Sequence, residues 1–235
     1  MGNSFFQFKQ FIVHQSEAAL KVCTESCIFG ASIPAENAEH ILDIGTGTGL
    51  LALMLAQKSQ AQIEAIELDE ASARDAQKNF SASPWNERLM VHVEDAKNFS
   101  SVNKFDLIVS NPPFFIHQLK SSDARTNAAL HGSELKPEDL CKIVNRLSTD
   151  EGRFFALLPE QEMRLLQVQL EASGWYPIYQ LSIYQQMNKP LFRIIGGFSK
   201  KKELQPISKR LIIYENGRTY TNDFTELLKD YYLYL

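Results

Sequence analysis

From residue 41 onward, short apolar runs alternate with stretches of helical spacing, and this rhythm limits the fold more than any other feature of the chain. ILDI (41–44), QIEAIEL (62–68), LMVHV (89–93), FDLIVS (105–110) and GRFFALLP (152–159) read as strands. Between them lie an apolar helix at 50–58, a helix at 70–82 with Ala71, Ala73, Ala76 and Phe80 on one face, and a helix at 137–147 opened by Pro137. A further helix at 160–173 closes on Gly174. Strands separated by helices of this length make βαβ units and a parallel sheet. WYPIYQLSIY (175–184) and LFRIIGGFS (191–199) are joined only by QQMNKP, too short for a crossover, so this pair should run antiparallel. The expected fold is α/β, a mostly parallel seven-stranded sheet with one antiparallel strand. An N-terminal arm precedes it and a C-terminal strand/helix extension follows. The expected division is 1–33 as arm and cofactor-covering segment, 34–199 as the ligand-binding domain, and 200–235 as basic connector and extension.

With 44% apolar residues the chain can bury a sizeable core and is not disordered. Its 24 basic and 28 acidic side chains leave a net charge of −4, which weighs against coating nucleic acid by bulk positive charge. The charge is uneven, however. Residues 173–235 carry 9 basic and 5 acidic side chains, net +4, and the remainder carries −8. Three cysteines are too few for a disulfide framework, and Cys23 and Cys27 have no His or Cys pair nearby to complete a zinc site. They are expected to be small core residues. No apolar run approaches the ~18 residues of a membrane span, and residues 1–15 lack a secretory pattern. A cytoplasmic chain with no membrane association is expected.

Asp43-Ile44-Gly45-Thr46-Gly47-Thr48-Gly49 joins the first strand of this pattern to its helix. Glycines there allow a sharp turn and close approach of a ligand. The spacing is not that of a dinucleotide fingerprint, and no Lys-Ser/Thr follows to make a phosphate loop. It suits an adenosine with an amino-acid tail, Asp43 holding a cationic ammonium, which describes S-adenosylmethionine. Glu67 lies 20 residues after Gly47 at the end of the next strand, placed to accept from ribose hydroxyls, with Asp69 as the nearby alternative. Asp95 and Ala96, after the third strand, can read the adenine edge.

Asn111-Pro112-Pro113-Phe114 follows FDLIVS directly, where open α/β sheets bind ligands. The Asn111 amide oxygen and the Pro112 carbonyl are two acceptors for one planar NH2. The prolines stiffen the loop, and Phe114 can stack on a base, worth ~1–3 kcal/mol. Two acceptors gripping the hydrogens of a delocalised NH2 favour a nitrogen lone pair aimed at a methyl donor. The gain comes from positioning and electrostatics. This chemistry requires no metal.

Together these features resemble the class I, Rossmann-like methyltransferases, and among them the amino-methylating group with an N-P-P-[FY] motif. Phe8-Lys9-Gln10-Phe11, Gln15, Lys21-Val22-Cys23-Thr24-Glu25 and the ending at 220–233 resemble the bacterial tRNA1(Val) adenine-N6 methyltransferases. The resemblance covers nearly the whole chain. It implies N6-methylation of an adenosine beside a tRNA anticodon, at position 37, with S-adenosylhomocysteine as product. It also implies cofactor-side roles for Lys21, Thr24 and Glu25. The family segment continues Asp-Gly after the threonine, whereas this chain has Glu25-Ser26. Another planar NH2 acceptor, a release-factor glutamine or a ribosomal guanine N2, is the alternative substrate. A non-catalytic cofactor- or tRNA-binding module is the alternative of another class. For RNA contacts the candidates are Phe8, Lys9, Arg125, Lys200, Lys201 and Lys202. Against Phe8 as an RNA contact stands packing on the domain, and against the cations a solvated face or loop, which is also the preferred account of His131. No obligatory protein partner is expected, and the chain is expected to be a monomer.

Overall fold

The computed structural model describes residues 3–18, 20–112 and 135–235. In chain order the strands are β1 (Phe5–Gln7), β2 (Ile12–His14), β3 (His40–Ile44), β4 (Gln62–Glu67), β5 (Leu89–Val93), β6 (Phe105–Ser110), β7 (Ser148–Leu158), β8 (Tyr176–Tyr184), β9 (Leu191–Ser199) and β10 (Ile207–Ile212). The helices are α1 (Thr24–Ser32), α2 (Leu50–Lys58), α3 (Glu70–Ala82), α4 (Pro137–Leu147), α5 (Glu160–Ala172) and α6 (Asn222–Leu228).

Strands β3 to β10 form one sheet in the order β10-β8-β9-β7-β6-β3-β4-β5. β9 runs antiparallel to both its neighbours, β7 and β8, and every other pair is parallel. The short 185–190 link therefore does what its length demands. β3 to β9 are the seven strands read from the sequence. The C-terminal extension supplies an eighth, which starts at Ile207 and pairs with β8. Ile207, Ser208, Lys209 and Arg210 of this new edge are all exposed. Charge on an edge strand discourages further strand pairing.

Side-chain alternation divides the interior into two cores. Ile41 of β3, Leu107 and Val109 of β6 and Phe155 and Leu157 of β7 face one side, with α1, α2, the arm and α6. Leu42, Ile44, Ile108, Phe154, Ala156 and Leu158 face the other, under α4 and α5. α2 is apolar all round because Leu50 to Ala56 are all buried. α4 buries a stripe, Leu140, Cys141, Ile143, Val144 and Leu147, on the second core.

The arm is built onto the first core. Phe8 bridges to Tyr232 and its ring stacks on Phe11 at 4.5 Å between centroids. Phe8 is 1% exposed, so it cannot stack on a nucleobase. Of the two readings of Phe8, packing on the domain is the one that fits: burying the ring contributes about 1.5–3 kcal/mol to the fold. Cys27 is fully buried in the same core. Asn79 of α3 accepts from His14 N at 2.8 Å and donates to the carbonyls of His14 (2.8 Å) and Thr48 (2.9 Å). Asp75 accepts from the amides of Glu17 (2.8 Å) and Ala18 (2.9 Å). These two buried side chains satisfy backbone groups that have no strand or helix partner there. Among the described residues, no helix is long and apolar enough to cross a membrane.

Candidate functional site

Sheet register places the predicted residues side by side. Ile44 lies opposite Ser110 on one side and Ile66 on the other, and Glu67 lies opposite Val93. Asn111, the turn starting at Gly45, Glu67 and Asp95 therefore follow one another across the carboxyl ends of β6, β3, β4 and β5. Three strand spacings of ~4.8 Å spread them over about 14 Å. The Ser110 hydroxyl donates to Ile44 O at 2.9 Å, tying the two central strand ends together.

The turn needs its glycines for different reasons. Gly45, Gly47 and Gly49 have φ of +73°, +58° and +82°, values L side chains rarely adopt. A Cβ on Gly45 or Gly47 would meet nothing within 4 Å, so the chain leaves open space there. A Cβ on Gly49 would stand 2.5 Å from Phe80 Cε1, so this glycine lets the Phe80 ring of α3 reach the start of α2. Glu67 holds the turn from the neighbouring strand. Its Oε2 accepts from Gly47 N at 2.8 Å and its Oε1 from Asp69 N at 2.9 Å. Burial pushes its carboxyl up from the ordinary value, and the amides of Asp69 and Gly47 oppose this. Each oxygen keeps a lone pair for another donor. Asp69 caps α3 by accepting from Ser72 N, a role worth ~1 kcal/mol.

Asp43 is fully buried. Its Oδ2 accepts from the Thr46 hydroxyl at 2.6 Å, and its Oδ1 has no hydrogen-bond partner. Burial pushes the carboxyl up to about 7, with the Thr46 hydroxyl pulling the other way. A buried acceptor without a donor is costly. An orphaned carboxylate oxygen beneath an open glycine cradle fits a ligand that brings a cationic amine. Asp95 is half-buried; its Oδ1 accepts from Lys97 N at 2.9 Å, which shapes the loop after β5. Ala96 is buried, its carbonyl held by Arg146 at 3.1 Å.

Asn111 and Pro112 follow β6 directly. Asn111 Nδ2 donates to Ser26 Oγ at 3.0 Å, so the first turn of α1, with the half-buried Thr24 and Glu25, abuts the site. Sequence reasoning did not select Ser26. The available signal was its place in the segment that departs from the family pattern. Lys21 is exposed and donates to Asn3 O at 3.3 Å. Pro113, Phe114, Arg125 and His131 lie outside the described residues.

The lysine run is elsewhere. Ser199 faces Arg153 and Tyr176, and Arg153 faces Leu107, which faces Ile41. Lys200–Lys202 thus leave the sheet at the end where β3, β6 and β8 begin, opposite to Asn111. Lys200 pairs with Asp150 at 3.8 Å and lies over Trp175, and Lys202 lies over Tyr176. Arg210, by contrast, faces Ser182, which faces Ile194 and then Leu158, at the same end as the site. Lys9 is exposed and donates to Lys229 O. Among the described residues no group of three or more His, Cys, Asp or Glu side chains is arranged to hold a metal ion.

The sheet order, the glycine turn and the acid on the next strand define a class I, Rossmann-like methyltransferase. The methyltransferase small domain family matches residues 18–135. A tRNA1(Val) (adenine(37)-N6)-methyltransferase of Cytophaga hutchinsonii is 40% identical over 240 residues, covering 100% of both chains. One from Bacteroides fragilis is 36% identical, covering 99% of each. The chain belongs to the tRNA1(Val) (adenine(37)-N6)-methyltransferase family. Its fold is shared with a solved structure from Agrobacterium tumefaciens, described as a predicted O-methyltransferase, at a TM-score of 0.68 and 14% identity. That match covers 87% of this chain and 95% of the other.

Proposed function

We propose that this protein methylates N6 of the adenosine at position 37 of a tRNA, tRNA1(Val) being the substrate its relatives are named for, and that it takes the methyl group from S-adenosylmethionine. The observation that supports this reading is the register of β3 and β6: Ile44 lies opposite Ser110, so Asn111 and Gly45 follow from neighbouring strand ends. When bound, the cofactor supplies an electrophilic methyl group on sulfur and is left as S-adenosylhomocysteine. Asp43 holds its ammonium, Gly45, Thr46, Gly47 and Gly49 admit its body, Glu67 accepts from the ribose, and Asp95 with Ala96 meets the adenine. Lys21, Thr24 and Glu25 close the site from the arm side.

The substrate base is turned out of its stack to reach this loop. Asn111 Oδ1 and the Pro112 carbonyl then accept the two N6 hydrogens, which turns the nitrogen lone pair toward the methyl donor. Phe114 supplies the stacking surface. After transfer the extra proton leaves to solvent. Residues 1–33 serve as arm and cover, 34–199 as the catalytic domain and 200–235 as connector and extension. The protein works in the cytoplasm as a monomer.

The test is incubation with unmodified tRNA and labelled cofactor, followed by digestion to nucleosides. N6-methyladenosine is expected. Its absence from every tRNA pool, or a methylated glutamine peptide or N2-methylguanosine in its place, overturns the assignment. Asn111→Ala should abolish transfer and leave cofactor affinity within about twofold, because the role proposed for the amide oxygen is toward the substrate amino group and not the cofactor.

A further inference from the structure

We propose that Ser26 is a positioning residue for the amino-methylation, acting through Asn111; this rests on the reading of Asn111 given above. The side-chain amide of asparagine has a donor end and an acceptor end, and only the acceptor can grip a substrate N–H. The two ends are nearly equal in shape, so packing alone does not choose between them. A hydrogen bond must do so. In this protein Ser26 Oγ accepts from Asn111 Nδ2 at 3.0 Å. With Nδ2 committed to α1, Oδ1 is turned away from Ser26, and among the described residues no hydrogen bond takes it.

Ser26 is itself held. It is 8% exposed, in the first turn of α1, and its hydroxyl lies 3.0 Å from Cys23 Sγ. Burial pushes the Cys23 thiol up from its ordinary value, and the charge of Glu25 adds to this. A neutral sulfur there can take the Ser26 proton as a weak acceptor, and that direction leaves the Ser26 oxygen to accept from Asn111. The hydroxyl can accept from Asn111 and still satisfy its own proton. Cys23, Ser26 and Asn111 form a short polar chain that runs from the arm to the reacting group.

A reversed Asn111 amide would present N–H to N–H, and transfer would have to wait for it to turn back. The effect falls on turnover. Among the described residues the Ser26 hydroxyl hydrogen-bonds to Cys23 and Asn111 and to neither the glycine turn nor the Glu67 carboxylate, so cofactor affinity should change little. The test compares wild type, Ser26→Ala and Ser26→Thr in steady-state methylation of tRNA, with cofactor affinity by calorimetry and the Asn111 side-chain amide observed by 15N NMR. Ser26→Ala should lower kcat roughly fivefold, the worth of one neutral hydrogen bond, with KM for tRNA and cofactor affinity within about twofold. The Asn111 side-chain NH2 signals should shift. Ser26→Thr keeps the hydroxyl and should restore both kcat and the signals.

Unchanged turnover in Ser26→Ala overturns the proposal. So does equal loss in the Ala and Thr variants, or a loss accompanied by weakened cofactor binding, since each marks a packing role. If wild type makes no N6-methyladenosine, or Asn111→Ala stays active, the fault lies in the functional reading. In that case the NMR comparison still reports whether Ser26 orients the amide.

Discussion

Asp43 shows what one residue can carry. Its side chain is enclosed, one oxygen takes the Thr46 hydroxyl and the other is unpartnered. Burial penalises the charged form, so the carboxyl sits near 7 in place of its ordinary 3.8. The sign follows from linkage. Between those two values the unfolded chain has released this proton and the folded one retains it. Ligand-free stability therefore falls as pH rises through that window, reaching its full loss above about 7. A cationic ligand group reverses the preference by pairing with the ionised form. Cofactor affinity should accordingly strengthen with rising pH through about 7, with proton release on binding. Calorimetry in buffers of different ionisation enthalpy at about pH 6 and about pH 8 checks this. Asp43→Asn should flatten the dependence, and a flat wild-type profile would remove Asp43 from the ammonium site.

Among the elements, the contact between α2 and α3 decides whether the glycine turn can exist in its observed form. Gly49 starts α2 in the left-handed region, and its bare α-carbon accepts the Phe80 ring of α3. The same α3 carries Asn79, which holds the Thr48 carbonyl and the backbone of β2. One helix thus fixes the turn on one flank and the arm on the other. Gly49→Ala combines a strained φ with steric overlap, and should destabilise the fold by about 2–3 kcal/mol. Gly174→Ala is the control, because its φ is also +82° but its Cβ would meet nothing within 4 Å. It should cost only about 1 kcal/mol. Urea unfolding of both variants separates the two effects; equal losses would show that the Phe80 contact is dispensable.

At the scale of the whole molecule, the sheet order rearranges the charge picture. The C-terminal excess of +4 divides between the two ends of the sheet. Lys200–Lys202 lie at the far end, with Lys200 beside Asp150. Lys209 and Arg210 lie on the exposed edge strand, with Arg210 level with the end of β7 and over the Tyr184 ring. If tRNA reaches Asn111, its phosphates pass the second group more readily than the first. Affinity for tRNA should fall steeply with salt. A Lys209→Glu, Arg210→Glu pair should weaken it roughly tenfold, and charge reversal at Lys200–Lys202 considerably less. Equal effects in a salt-controlled binding assay would return both groups to the same standing.

The alternation of runs from residue 41, the six-residue link before β9, and the D-x-G-x-G-x-G and N-P-P-F segments were legible in the sequence because each depends on local chemistry: periodicity, loop length and backbone freedom. Three things were not. Phe8 could equally stack on RNA or pack on the domain until Tyr232, more than two hundred residues later, closed over it. β10 appeared as a terminal appendage until β8 offered it an edge. Ser26 could not be tied to Asn111 until α1 and the end of β6 came within one hydrogen bond. The sequence by itself determined which backbone turns sharply and which groups can accept a hydrogen bond. Only the tertiary structure decided which of those groups face one another, because hydrogen bonds and burial between distant segments depend on sheet order and register, which local residue patterns do not encode.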